Sequence, residues 1–181
     1  MMTNDQYDFI VAPRSRAVIR KAALGFRDLL EIKEYKFCPV VELLEFVMPY
    51  YDNNFSFEVC SISEMGDKEG SAIPDLHILQ LREDVYFDLH KDDGRARFTT
   101  CHELGHYFLH DNVELSMNRI AKRADIKPYR SAEWQADNFA AEFLMPLEVI
   151  DGMSINEIVK TCGVSRKAAE LRIKVLSSIS K

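Results

Sequence analysis

Between Phe98 and His110 the chain reads Phe-Thr-Thr-Cys-His-Glu-Leu-Gly-His-Tyr-Phe-Leu-His, and that order admits few kinds of fold. Phe98, Cys101, Leu104, Phe108 and Leu109 recur at helical spacing and form one apolar stripe. His102 and His106 lie four residues apart, so a helix stacks them on one side, about 6 Å apart along its axis. Two imidazoles held that way can grip a single zinc ion, and Glu103 projects nearby, within reach of a water on it. The expectation is a zinc hydrolase, with peptide-bond cleavage as the leading chemistry.

Such a helix needs a core to rest on. The chain has 181 residues, 47% of them hydrophobic, enough for one compact domain with a small appendage. No apolar run approaches the ~20 residues of a membrane span. The polar start, Met1 to Gln6, is followed by no apolar leader, which favours the cytoplasm. Cys38, Cys60, Cys101 and Cys162 are scattered and read as reduced thiols rather than a disulfide frame. A net charge of −6 argues against general nucleic-acid binding.

Along the chain, Val18, Ala22, Phe26 and Leu30 predict a helix from about Arg14 to Lys33. A second helix is expected to start at Pro39 and stop at Pro49. Phe55 to Val59 alternates and reads as a strand, Glu64 to Gly70 as a turn or loop, and Leu76 to Leu81 as a further strand. Val85 to Leu89 reads as a short strand or turn. Asp92-Asp93-Gly94 signals the turn before the motif helix. A short helix is expected around Met117 to Arg123. Ser131 is a credible N-cap for a strong helix reaching about Met145. Two short helices complete the tail, one opened by the capping box Ser154-Ile155-Asn156-Glu157, the other following Gly163 and capped by Ser165. The fold class expected is α+β: a mostly helical domain over residues 1–150 with a small β-sheet, and a two-helix C-terminal element over residues 151–181.

Two histidines do not complete a zinc site, since a catalytic ion takes three protein ligands and keeps a position for water. If the helix continues, His110 lies about 12 Å along the axis from His102 and is rotated by roughly 80°. It cannot close on the same ion. The better candidate is Glu133 in Glu133-Trp134-Gln135-Ala136-Asp137, where Glu133 and Asp137 share one helical face. A crossing pair of helices brings Glu133 to the metal, and Asp137 then accepts a hydrogen bond from the far ring nitrogen of one histidine. The combination is similar to the gluzincin arrangement.

Arg97-Phe98-Thr99 ahead of His-Glu-Leu-Gly-His-Tyr-Phe-Leu-His, followed by Glu-Trp-Gln-Ala-Asp-Asn-Phe-Ala-Ala-Glu-Phe-Leu-Met-Pro from Glu133 to Pro146, resembles the ImmA/IrrE family of metallo-endopeptidases. Leu81 to Tyr86 is similar to a segment of many members. The likeness covers about Phe55 to Pro146. It implies a zincin-like fold, one zinc held by His102, His106 and Glu133, and Glu103 as the catalytic carboxylate. It also implies a cytoplasmic substrate, a helix-turn-helix repressor or antitoxin encoded nearby, often on a prophage or mobile element.

On this reading Glu103 acts as general base and then returns the proton to the leaving amine. Tyr129 is the first candidate for a second oxyanion donor, with His110 and Arg130 behind it. Cys101 points about 100° away from His102 and reads as a buried helix residue. The tail has helix-turn-helix length and carries Arg166, Lys167, Arg172 and Lys174, but packing against the catalytic domain or docking a partner explains it equally well. DNA contact is not the favoured expectation. The alternative of another class is a non-catalytic zinc module that acts by binding a repressor, and Glu103 weighs against it.

Overall fold

The computed structural model describes residues 7–110 and 120–179. Its architecture is α+β and mostly helical, built around two packed helices. Strand β1 (Tyr7–Phe9) leads to helix α1 (Arg16–Leu29), which starts where the Ser15 side chain accepts a hydrogen bond from the Val18 amide. Helix α1 is shorter than Arg14 to Lys33: Glu31, at φ 56°, turns the backbone out of helical geometry.

The next helix opens as α2 (Val40–Glu42), passes through a π-helical stretch Leu43–Val47, and continues as α3 (Met48–Tyr51). Pro49 was expected to end it and does not. The Met48 amide bonds Leu43 O, five residues back, and the Asp52 amide bonds Met48 O beyond the proline. The wider π turn relieves the clash a proline ring makes with the carbonyl four residues before it.

Strand β2 (Ser56–Cys60) is followed by α4 (Ile62–Met65), a single turn with a Ser61–Glu64 capping box. Strands β3 (Gly70–Ile73) and β4 (Ile78–Arg82) complete a sheet of order β2-β4-β3, in which β2 runs parallel and β3 antiparallel to β4. The β3 register pairs Gly70 with Leu81 and Ala72 with Leu79. Val85 to Leu89, expected as a short strand or turn, instead lie in helix α5 (Glu83–Leu89). Val85 and Leu89, four apart, are its buried residues, and Arg82 forks onto Asp84 at its first turn.

Helix α6 (Gly94–Leu109) starts at Asp93, whose carboxylate accepts from the Arg95 and Ala96 amides at 2.9 Å. Of the helix expected near Met117 to Arg123, residues 117–119 lie outside the described residues. The rest is strand β5 (Ile120–Lys122), paired antiparallel with β1, and a 3₁₀ turn over Arg123–Asp125. Helix α7 (Ala132–Leu144) is capped by Ser131, which accepts from the Trp134 amide at 2.9 Å.

Helices α6 and α7 cross closely because Gly105 has no side chain. A Cβ there would stand 3.0 Å from Ala136 Cα and 3.1 Å from Ala136 O. Leu104, Phe139, Ala140 and Phe143 fill the core around this crossing, with Phe26 of α1 against Phe108 and Phe143.

The tail comprises the short helix α8 (Leu147–Ile150), α9 (Ile155–Cys162) with its Ser154–Glu157 capping box, and α10 (Arg166–Ile179). Gly163 ends α9 in the left-handed region. Two buried arginines bind the tail to the rest. Arg97 donates to the carbonyls of Cys38, Cys162 and Gly163, so it covers the C-terminal end of α9, and its guanidinium stacks 3.8 Å from the Phe37 ring centroid. Arg172 of α10 forks onto Glu142 of α7 at 2.7 and 2.5 Å and donates to Met145 O. That use of Arg172 removes it from any surface the tail presents. Among the described residues no helix is long and apolar enough to cross a membrane.

Candidate metal centre

Three polar side chains converge where α6 meets the first turn of α7. His102 Nε2 and His106 Nε2 stand 3.0 Å apart, and each lies 3.3 Å from one oxygen of Glu133. Among the described residues these three form the group of ligand-type atoms close enough to share an ion. A tetrahedral zinc with bonds of about 2.0–2.1 Å requires ligand atoms about 3.3 Å apart. The donors present, two imidazole nitrogens and one carboxylate, therefore fit that ion in type and in spacing.

Each histidine is held from behind. His102 Nδ1 lies 2.9 Å from Asp137 Oδ1, and Arg123 lies 3.6 Å from the other oxygen of that carboxylate. His106 Nδ1 lies 3.0 Å from His110 Nδ1. Burial opposes charge on His102, but its hydrogen bonds to Asp137 and Glu133 and the nearby Glu103 outweigh it and raise its pKa to about 10. Burial likewise opposes ionisation of Glu133, yet hydrogen bonds to both histidines hold it well below the usual carboxylate range. Asp137, Glu133 and Glu103 around His102 thus favour positive charge at this end of the site.

The N-terminal segment fixes the start of α7. The Asp8 carboxylate accepts from the Ser131 hydroxyl and from the Glu133 amide, the latter at 3.4 Å. Ile10 bridges Ser131, and the Val11 and Arg14 amides donate to Arg130 O and Tyr129 O. Buried Gln135, one turn from the cap, donates to Ala12 O and Tyr129 O. Glu133 is consequently set on a helix end tied down on three sides.

Glu103 points along α6 toward the sheet. The Ala72 amide of β3 donates to its carboxylate, and a Cβ on Gly70 would come within 2.6 Å of its Cγ. Burial pushes its carboxyl up from the ordinary range, with His106 and His102 pulling the other way. Strand β3 is held at that distance through Glu69, which is bonded to Arg95 and Thr99 of α6.

His110, a candidate oxyanion donor on the sequence, sits on the far side of His106 from the three ligand atoms. It is buried at the end of α6, bonded to His106 and Gln135, and burial lowers its pKa to about 3. Tyr129 is 41% exposed and lines an open groove of about 440 Å³ with Pro13, Arg14, Ser15, Arg16, Pro128 and Trp134, which none of the three ligand-type residues lines. Cys101 is fully buried in the core. Sequence reading did not find Gly70, Asp8, His110 as a partner of His106, or Gln135. A glycine opening a strand does signal close backbone approach; the others have partners too distant in the chain to leave a local mark.

The helix pair, the small sheet and the His-His-Glu cluster define a metallopeptidase-like domain. Consistent with this, the chain belongs to the Peptidase M78 family, described as the IrrE N-terminal-like domain, whose model matches residues 63–174. No curated protein matches the chain. Among solved structures, one described as a Mycobacterium tuberculosis transcriptional regulator is similar, with a TM-score of 0.56 and 15% identity over 83% of this chain and 44% of that one. At that identity the likeness is one of fold, and the chain spans less than half of the regulator's length.

Proposed function

We propose that this protein is a zinc-dependent endopeptidase that cleaves a cytoplasmic protein regulator, a helix-turn-helix repressor or an antitoxin encoded nearby. The observation that carries the reading is Glu103: a half-buried carboxylate beside three zinc-type donors, against the strand next to the site. A site built only to hold a structural ion has no use for it.

When bound by His102, His106 and Glu133, zinc supplies a Lewis acid for a water molecule and for the carbonyl of the peptide to be cut. Glu103 takes the water's proton and hands it to the departing amine. Its raised pKa suits both halves of that transfer, because a carboxyl nearer neutrality both accepts and releases a proton. Asp137 fixes the ring of His102. Strand β3 pairs only with β4 among the described strands, and its outer edge, beside Glu103, suits an extended substrate segment.

A second reading, a zinc module that acts by binding a repressor without cutting it, draws on the likeness to a transcriptional regulator. One experiment separates the two. The full chain is incubated with a helix-turn-helix protein encoded beside it, with and without a chelator, next to Glu103→Gln. The endopeptidase reading expects discrete fragments, lost with the chelator, and turnover by the variant reduced by at least ~10²-fold. Cleavage by the variant at the wild-type rate, or binding without cleavage by the zinc-loaded wild type, contradicts it.

A further inference from the structure

The two ligand-type histidines are oriented by different means. His102 has an acid behind it, Asp137, as zinc-binding histidines commonly do. Behind His106 stands another imidazole, which can donate or accept at either nitrogen. The direction of the proton between His106 and His110 must therefore be set from elsewhere.

Gln135 sets it. Its Nε2 lies 2.8 Å from Ala12 O and 2.9 Å from Tyr129 O. Both of those atoms are carbonyl oxygens, which only accept, so both amide hydrogens are committed and the amide cannot flip. Its Oε1 then faces His110 Nε2 at 3.2 Å, with Arg14 Nη1 donating to the same oxygen at 3.2 Å. An amide oxygen accepts only, so His110 Nε2 must carry a hydrogen. In the neutral ring that hydrogen is the only one, so His110 Nδ1 presents a lone pair. The 3.0 Å contact between the two Nδ1 atoms requires one hydrogen, and His106 supplies it. With a hydrogen directed backward from Nδ1, it is Nε2 that His106 can offer to a metal in the space it shares with His102 and Glu133, in place of its hydrogen bond to Glu133.

We propose that Gln135 and His110 are positioning residues that fix the tautomer of His106 through a relay anchored on the N-terminal segment at Ala12. The proposal rests on the metal-site reading of His106. It also explains why a glutamine lies fully buried in α7, two residues after Glu133: that residue type combines two donors for the carbonyls with one acceptor for the imidazole.

The test uses the whole chain labelled with ¹⁵N in histidine. Long-range ¹H–¹⁵N spectra at about pH 8, metal-free and after one equivalent of zinc chloride, report which ring nitrogen bears each proton. The expected result in both states is a proton on His110 Nε2 and a proton on His106 Nδ1. In Gln135→Leu the His110 proton is expected to divide between its two nitrogens. Zinc affinity, measured by competition with a chromogenic chelator, should fall about 10–100-fold in Gln135→Leu and His110→Leu. His110→Asn, whose amide oxygen can replace the Nδ1 acceptor, should recover most of the loss; a merely space-filling role for His110 predicts no such recovery. If Gln135→Leu does not fold, the two His110 variants decide. The relay is overturned by a His110 proton on Nδ1 in the wild type, or by His110→Asn binding zinc as weakly as His110→Leu. If the wild type takes up no zinc, the metal-site reading fails, and the spectra alone decide the relay.

Discussion

Arg172→Met tests whether the C-terminal helices are part of the domain. The Arg172 and Glu142 side chains are 2% and 7% exposed, and they meet through two hydrogen bonds of 2.7 and 2.5 Å. The Arg172 Nε also donates to Met145 O, at the end of α7. Replacing the guanidinium with a thioether of similar length keeps the packing but leaves the Glu142 carboxylate buried without its main partner. Losing one member of such a pair costs about 3–5 kcal/mol. Arg20, whose Nε is 3.8 Å from Glu142, recovers part of this and puts the expectation near the lower bound. At roughly 2–4 °C per kcal/mol for a chain of this size, the melting temperature should drop by about 6–12 °C. Calorimetric melting of the full chain measures it. A companion with Glu142→Leu added should melt well above the single variant, because two apolar groups replace a pair that is costly to desolvate. A single variant melting within about 2 °C of the wild type would refute the reasoning. So would a double variant no more stable than the single one.

Two further outcomes follow from the site. In Gly70→Ala the new methyl would press on Glu103 Cγ, so peptide cleavage should fall by at least ~10-fold while zinc affinity stays near wild type; equal losses of both would mean that Gly70 serves the metal and not the carboxylate. The second concerns pH. The carboxylates around His102 raise its pKa to about 10, so zinc binding has to displace a proton there. Apparent zinc affinity should therefore rise with pH across the neutral range, by about tenfold per unit for each proton displaced, and calorimetry in buffers of different ionisation heat should register the release. Affinity independent of pH between 6 and 8 would contradict that protonation state.

What could be read from the sequence was what local chemistry encodes. Helix α6 showed in the spacing of its apolar residues, and α7, α9 and α10 in Ser131, Ser154 and Ser165, whose hydroxyls accept from the amides of Trp134, Glu157 and Ala168. His102, His106, Glu133 and Asp137 were nameable because helical periodicity places each pair on one face, and the structure brings all four together. Elements whose stability comes from elsewhere were not legible. Strand β3, Gly-Ser-Ala-Ile, has little strand propensity of its own and forms through pairing with β4 and the anchoring of Glu69. Helix α5 hid its Val85 and Leu89 spacing behind the aromatic pair Tyr86 and Phe87. The continuation past Pro49 depends on a π turn that no residue type announces. Arg97 and Arg172 had the composition of surface charge, and only tertiary partners bury them. Gln135 meets Ala12 across more than a hundred residues of chain, so its part in the site had no signature.

The central claim is that His102, His106 and Glu133 hold one zinc ion with a direction left open. Anomalous diffraction at the zinc edge, from crystals of the full chain grown with zinc chloride, tests it most directly. A single strong peak is expected within about 2.0–2.2 Å of His102 Nε2, His106 Nε2 and a Glu133 oxygen. A site with no peak there, or a peak ligated by His110 in place of Glu133, would contradict it.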